Sequence, residues 1–153
     1  MKKWMLAMLV MVLVIGSVSA EWRDYEWGMR PTEIRVSEDL TYMYGEEGSS
    51  GSVQVYVTTV MDQPTLASFF FESDGLKSIL LQIDGDIFET AVDIYRGRYG
   101  PPSVTDPDFR AWDTGSLYLS VELSFGETEI MYIESAFAER VREQQNRQAE
   151  DEL

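Results

Sequence analysis

From Leu117 to Phe125 the chain alternates without a break: Leu117, Leu119, Val121, Leu123 and Phe125 are apolar, with Tyr118, Ser120, Glu122 and Ser124 between them. A period of two sends successive side chains to opposite faces of an extended strand, so this stretch requires a sheet with one face on a core. Val53, Val55, Val57 and Thr59 alternate in the same way, as do Ile79, Leu81 and Ile83. Ser73-Asp74-Gly75 joins Leu66–Glu72 to Leu76–Ile83, and Asp-Gly between apolar runs marks a hairpin. Asp62-Gln63-Pro64 and Gly126-Glu127 read as further turns, the latter leading into a strand over Thr128–Ile133. Leu40–Tyr44 reads as short and extended, and Glu46–Ser52 as a polar loop.

Three stretches read as helices. Pro31 suits a first helical position, with Glu33 in the first turn and Ile34 turned inward. Asp86 and Glu89 have capping-box spacing before Phe88, Val92, Tyr95 and Tyr99, which recur at helical intervals with Ala91 beside them. Arg96 and Arg98 complement the dipole at the end of this helix, and Gly100-Pro101-Pro102 stops it. Ser135 can cap a last helix carrying Phe137 and Val141. The charged segment 139–153 is then either a solvated helix end or a disordered tail. The expected fold is α+β: two successive helix-then-antiparallel-strands units, 27–83 and 86–135, in one domain over 21–138. The helices are expected to pack on one face of a mostly antiparallel sheet. Phe71, Gly75-Leu76 and Ile79 weakly parallel Phe125-Gly126 and Ile130, which suggests duplication.

The first twenty residues carry an address. Lys2 and Lys3, the apolar run Trp4–Ile15 and Val18-Ser19-Ala20 form a secretory signal peptide, with cleavage expected after Ala20. The apolar run is too short to span a bilayer as a helix. The mature chain is therefore expected in the bacterial periplasm or secreted. It lacks cysteine, so no disulfide and no lipidated N-terminal Cys is expected.

Histidine is absent as well. Without His or Cys there is no Ser-His-Asp or Cys-His nucleophile, and no usual zinc, copper, haem or iron–sulfur site. No cofactor, no bound metal and no enzymatic activity is expected. The full chain carries a net charge of −15, and the leader removes two of its 12 bases and none of its 27 acids. Such a field repels nucleic acid and anionic surfaces.

A resemblance covers most of residues 22–140. Trp27-Gly28-Met29 before Glu33-Ile34 resembles the W-G-M-(S/T)-x-x-E-(V/I) opening of small exported bacterial proteins of uncharacterised function. Phe69 to Leu76, Arg98 to Pro101, Trp112 with Leu117–Leu123, and Ile130 to Ser135 follow in the order of that type. More distantly, the chain is similar to the small lipoprotein of the outer-membrane β-barrel assembly machine and to β-lactamase-inhibitor-type repeats. The resemblance implies protein–protein binding or scaffolding. Arg30 stands where those proteins carry a capping Ser or Thr.

The candidate contact residues are Trp22, Tyr25, Trp27 and Trp112, with Arg96 and Arg98. Exposed, the aromatic rings would stack on a sugar or clasp a peptide; buried, they would plug the ends of the core. The arginines either hold an anionic group or cap a helix and pair with nearby acids. The acids Asp84, Asp86, Asp106, Asp108 and Asp113 read as caps and turns. The function expected from these features is an exported binding module in the bacterial envelope, acting on an envelope protein or cell-wall component. The alternative is a carbohydrate or peptidoglycan binder, including a hydrolase that uses carboxylates alone.

Overall fold

A computed structural model of the chain describes residues 22–34, 40–48 and 51–151. The expected leader and cleavage site lie outside the described residues. Among these described residues eight strands form one antiparallel sheet: β1 (Thr41–Gly48), β2 (Gly51–Val60), β3 (Gln63–Glu72), β4 (Gly75–Ile83), β5 (Val104–Asp106), β6 (Phe109–Asp113), β7 (Leu117–Ser124) and β8 (Glu127–Glu134). Their order is β1-β2-β3-β4-β8-β7-β6-β5, so two four-stranded meanders meet where β4 pairs with β8. Helix α1 (Phe88–Tyr99) connects the meanders and α2 (Ser135–Asp151) follows the second.

Local chemistry closes the hairpins. Met61 and Asp62 have φ of 48° and 62°, and Phe125 and Gly126 have 52° and 84°. Two consecutive positive φ values match the twist of paired strands. The first of these turns sits before Gln63-Pro64 rather than on it. Polar Glu46–Ser52 is not a loop throughout: β1 reaches Gly48 and β2 starts at Gly51, opposite it. An edge strand needs no apolar face, because pairing of its backbone suffices, and every side chain of β1 is exposed.

The expected pair of helix-then-strands units with helices on one face does not hold. The first helix is a single 3-10 turn, Pro31–Glu33. Glu33 Oε2 accepts from the Arg30 N–H at 2.8 Å, but three residues make no apolar stripe to pack. The two real helices lie on opposite faces of the sheet. On the first face Phe88, Ala91, Val92 and Tyr95 of α1 join Leu119, Val121, Ile130 and Tyr132 in the main core. On the second face Phe137 of α2 stacks on Phe70 at 5.6 Å.

Thr128 anchors α1: its hydroxyl accepts from the Ile87 N–H and donates to the Gly85 carbonyl, both at 2.9 Å. Asp86 Oδ1 accepts from the Phe88 N–H at 3.2 Å, and Gly100, at φ 81°, ends the helix by donating to the Arg96 carbonyl. The remainder of the first face is closed by the segment before β1. Trp22 and Tyr25 pack on Phe69, and Ile34 and Leu40 are buried with them. The Gly28 N–H donates to Leu76 O (3.1 Å) and the Leu76 N–H to Met29 O (2.8 Å). Trp27-Gly28-Met29 is thereby joined to Asp74-Gly75-Leu76, two motifs more than forty residues apart in the chain.

Candidate functional site

The second face carries the unfinished part of the core. Strand register places Val53, Phe70, Ser78, Ile133 and Tyr118 in one row across β2, β3, β4, β8 and β7. The next row is Val55, Ser68, Leu80, Met131, Ser120 and Ala111. Large side chains beside serines leave depressions at Ser68 and Ser78. In the third row Leu66 gives way to Gln82, Glu129 and Glu122, and Gln82 hydrogen-bonds Glu129 at 3.3 Å. The apolar floor therefore ends against a polar margin.

Helix α2 roofs this floor at one end only. It leaves β8 at Ser135 and turns Phe137, Ala138, Val141, Arg142 and Gln145 toward the sheet, a spacing that keeps them on one helical face. Arg140 clamps it by pairing with Glu72 at 2.8 Å. Beyond Val141 the helix has no large apolar side chain to bury, and its residues from Arg142 to Ala149 are exposed. The result is an apolar groove of about 560 Å³ between α2 and the sheet, within the size range of small-molecule sites. Val53, Phe70, Leu80, Met131, Ile133, Phe137 and Val141 supply its apolar walls. Arg142, Gln145 and Tyr118 supply polar groups, and Arg142 makes no ion pair with a described carboxylate.

At the far end of β8, Lys77 is buried and paired with Glu134 (2.7 Å) and Asp74 (3.0 Å). Burial pulls its ammonium down, but hydrogen bonds to Glu134 and Asp74 outweigh this and its pKa is raised. Asp74 is lowered, first by its hydrogen bond with Lys77. On the opposite face Tyr95 and Tyr132 are buried together, their hydroxyls hydrogen-bonded beneath α1. Burial raises the Tyr95 phenol above its ordinary value.

No protein family, curated protein or solved structure matches this chain. The site rests on its own geometry. The residues singled out in the sequence lie elsewhere, in two groups on the first face. Trp22 and Tyr25 are buried against Phe69, and Trp27 packs half-buried at the edge of that cluster. Trp112 is buried beside Tyr95, its indole N–H donating to the Gly100 carbonyl at 3.0 Å. Arg96 pairs with Asp93 at 2.9 Å, and Arg98 is exposed at the end of α1. Nothing brings these six residues to one concave surface. Asp86 and Asp113 accept backbone N–H groups in turns.

The groove residues had a signal in the sequence. Phe69-Phe70-Phe71 and Ile79-Leu80-Leu81 interrupt the alternation, and a continuous apolar run belongs to a strand covered on both faces. Among the described residues no helix is long and apolar enough to cross a membrane.

Proposed function

We propose that this chain is an exported binding module of the bacterial envelope, and that it binds through the apolar groove between α2 and the second face of the sheet. The observation that carries this reading is the half-built roof. An antiparallel sheet can leave one face to water, but that face is then polar. Here two adjacent rows hold Val53, Phe70, Leu80, Met131 and Ile133, and all five stay only half-buried although Phe137, Ala138, Val141, Arg142 and Gln145 of α2 line the same groove. The leader supports export, and the lack of His and Cys supports recognition over chemistry. Of the rings a sugar would stack on, Trp22, Tyr25 and Trp112 are enclosed in the core and Trp27 alone is partly exposed, and a single ring makes a weaker platform than the apolar groove.

The test uses residues 21–153 and N-phenyl-1-naphthylamine, an uncharged dye that fluoresces in apolar surroundings. One dye is expected to bind per chain. Replacing Leu80 and Met131 together by Gln should weaken it at least tenfold, since two buried apolar contacts are lost. Phe125→Ser, at the fully exposed hairpin tip, should leave binding unchanged. Equal binding by the Gln variant would remove the groove as the site.

A further inference from the structure

Resting on that reading, we infer that the groove is built for a single-chain amphiphile with an anionic head, a free long-chain carboxylate, whose tail lies on Phe70, Leu80, Met131 and Ile133 and whose head meets Arg142. Three features of the groove converge on this chemistry. Its walls are apolar on both sides, with sheet residues below and Phe137 and Val141 above, which suits a flexible hydrocarbon tail. Its volume, about 560 Å³, suits a single ligand of small-molecule size. Among the described residues Arg142 is its one lining cation, and that guanidinium has no described carboxylate partner.

The ion pairs at this end of the sheet leave Arg142 unclaimed. Glu72 and Glu134 end the strands that carry Phe70 and Ile133, and Arg140 and Lys77 already hold them. Arg142 thus stays available, with Gln145 one turn further along the same helical face. A guanidinium presents a planar donor fork that matches a carboxylate bidentately. The net charge of −15 opposes an anion at long range. Beyond roughly 8 Å physiological salt screens that field, and against the nearby Glu139 and Glu143 the head is held by its direct contact with the guanidinium.

The experiment displaces N-phenyl-1-naphthylamine from residues 21–153 with decanoate, dodecanoate and tetradecanoate. It compares each with the alcohol of the same length, the carboxylates below their micelle-forming concentrations and the alcohols below their solubility limits. Affinity should rise about two- to fourfold per added methylene. Each carboxylate should bind about tenfold tighter than its alcohol. Arg142→Gln should bring that ratio close to one, and Arg142→Glu should invert it. Arg142 is exposed, so neither change threatens folding. A ratio unchanged in Arg142→Gln overturns the inference. So does dye binding without displacement by any carboxylate, which leaves the groove reading standing. Failure of the dye itself to bind wild type overturns both. Co-flotation with phosphatidylglycerol vesicles, with no binding of monomeric carboxylate, overturns the inference in favour of a membrane surface.

Discussion

Gly75→Ala should cost the fold about 3 kcal/mol or more, through strain at positive φ together with overpacking. A methyl group there would stand 2.1 Å from the Gly28 carbonyl oxygen and 2.3 Å from its carbon. Both neighbours are backbone, so no side chain can swing aside. Gly75 also sits at φ 108°, where L-residues are strained. Relief would require breaking the Gly28–Leu76 and Met29–Leu76 hydrogen bonds, and those hold the N-terminal segment over Phe69 and Leu76. Gly97 is the matched control: it lies in α1, and a methyl group added there would meet nothing within 4 Å. Gly97→Ala should stabilise by about 0.5–1 kcal/mol through helix propensity alone. Urea unfolding followed by tryptophan fluorescence separates the two. Similar midpoints for both variants would contradict the close approach of Gly75 to Gly28.

Lys77→Met should be the next largest loss, about 2 kcal/mol near neutral pH. A buried pair broken from one side typically costs about 3–5 kcal/mol, and the partial exposure of Asp74 and Glu134 brings this down. The pH dependence fixes the mechanism. Asp74 is lowered in the folded state, so its contribution is full above its ordinary value of 3.8 and is lost as pH falls through the folded pKa. Lys77 is raised, so its contribution is full below 10.5 and is lost as pH rises through the folded value. The stability gap between wild type and Lys77→Met should therefore be widest between these limits and narrow in acid. A gap that stays constant from pH 7 down to pH 2 would assign the loss to packing instead.

Elements held by local chemistry were legible in the sequence. The alternation from Leu117 sets β7, the Asp74-Gly75 turn sets the β3–β4 hairpin, and the Phe88–Tyr95 stripe with its Gly100 stop sets α1. Elements held by distant partners were not. Val104–Asp106 becomes a strand only because Phe109–Ala111 pairs with it, and Glu46–Gly48 only because Gly51–Val53 does. Pro31 starts one 3-10 turn and no more, since no apolar stripe follows it within the described residues. Which face a helix takes depends on strand order, and the β4–β8 junction could not be inferred from periodicity. That junction sets Leu80 beside Met131 and Ser78 beside Ile133, and so creates the groove floor. Trp22, Tyr25 and Trp112 are large aromatic residues, and the size and apolarity that suit a contact surface are equally what a core selects.

The binding site itself is best tested by methyl NMR spectra of residues 21–153 titrated with N-phenyl-1-naphthylamine. Shifts should concentrate on Val53, Leu80, Met131, Ile133 and Val141, while Leu119, Val121 and Ile130 on the opposite face stay in place. Shifts centred on that opposite face, or none on Leu80 and Met131 at saturation, would contradict the assignment of binding to the surface beneath α2.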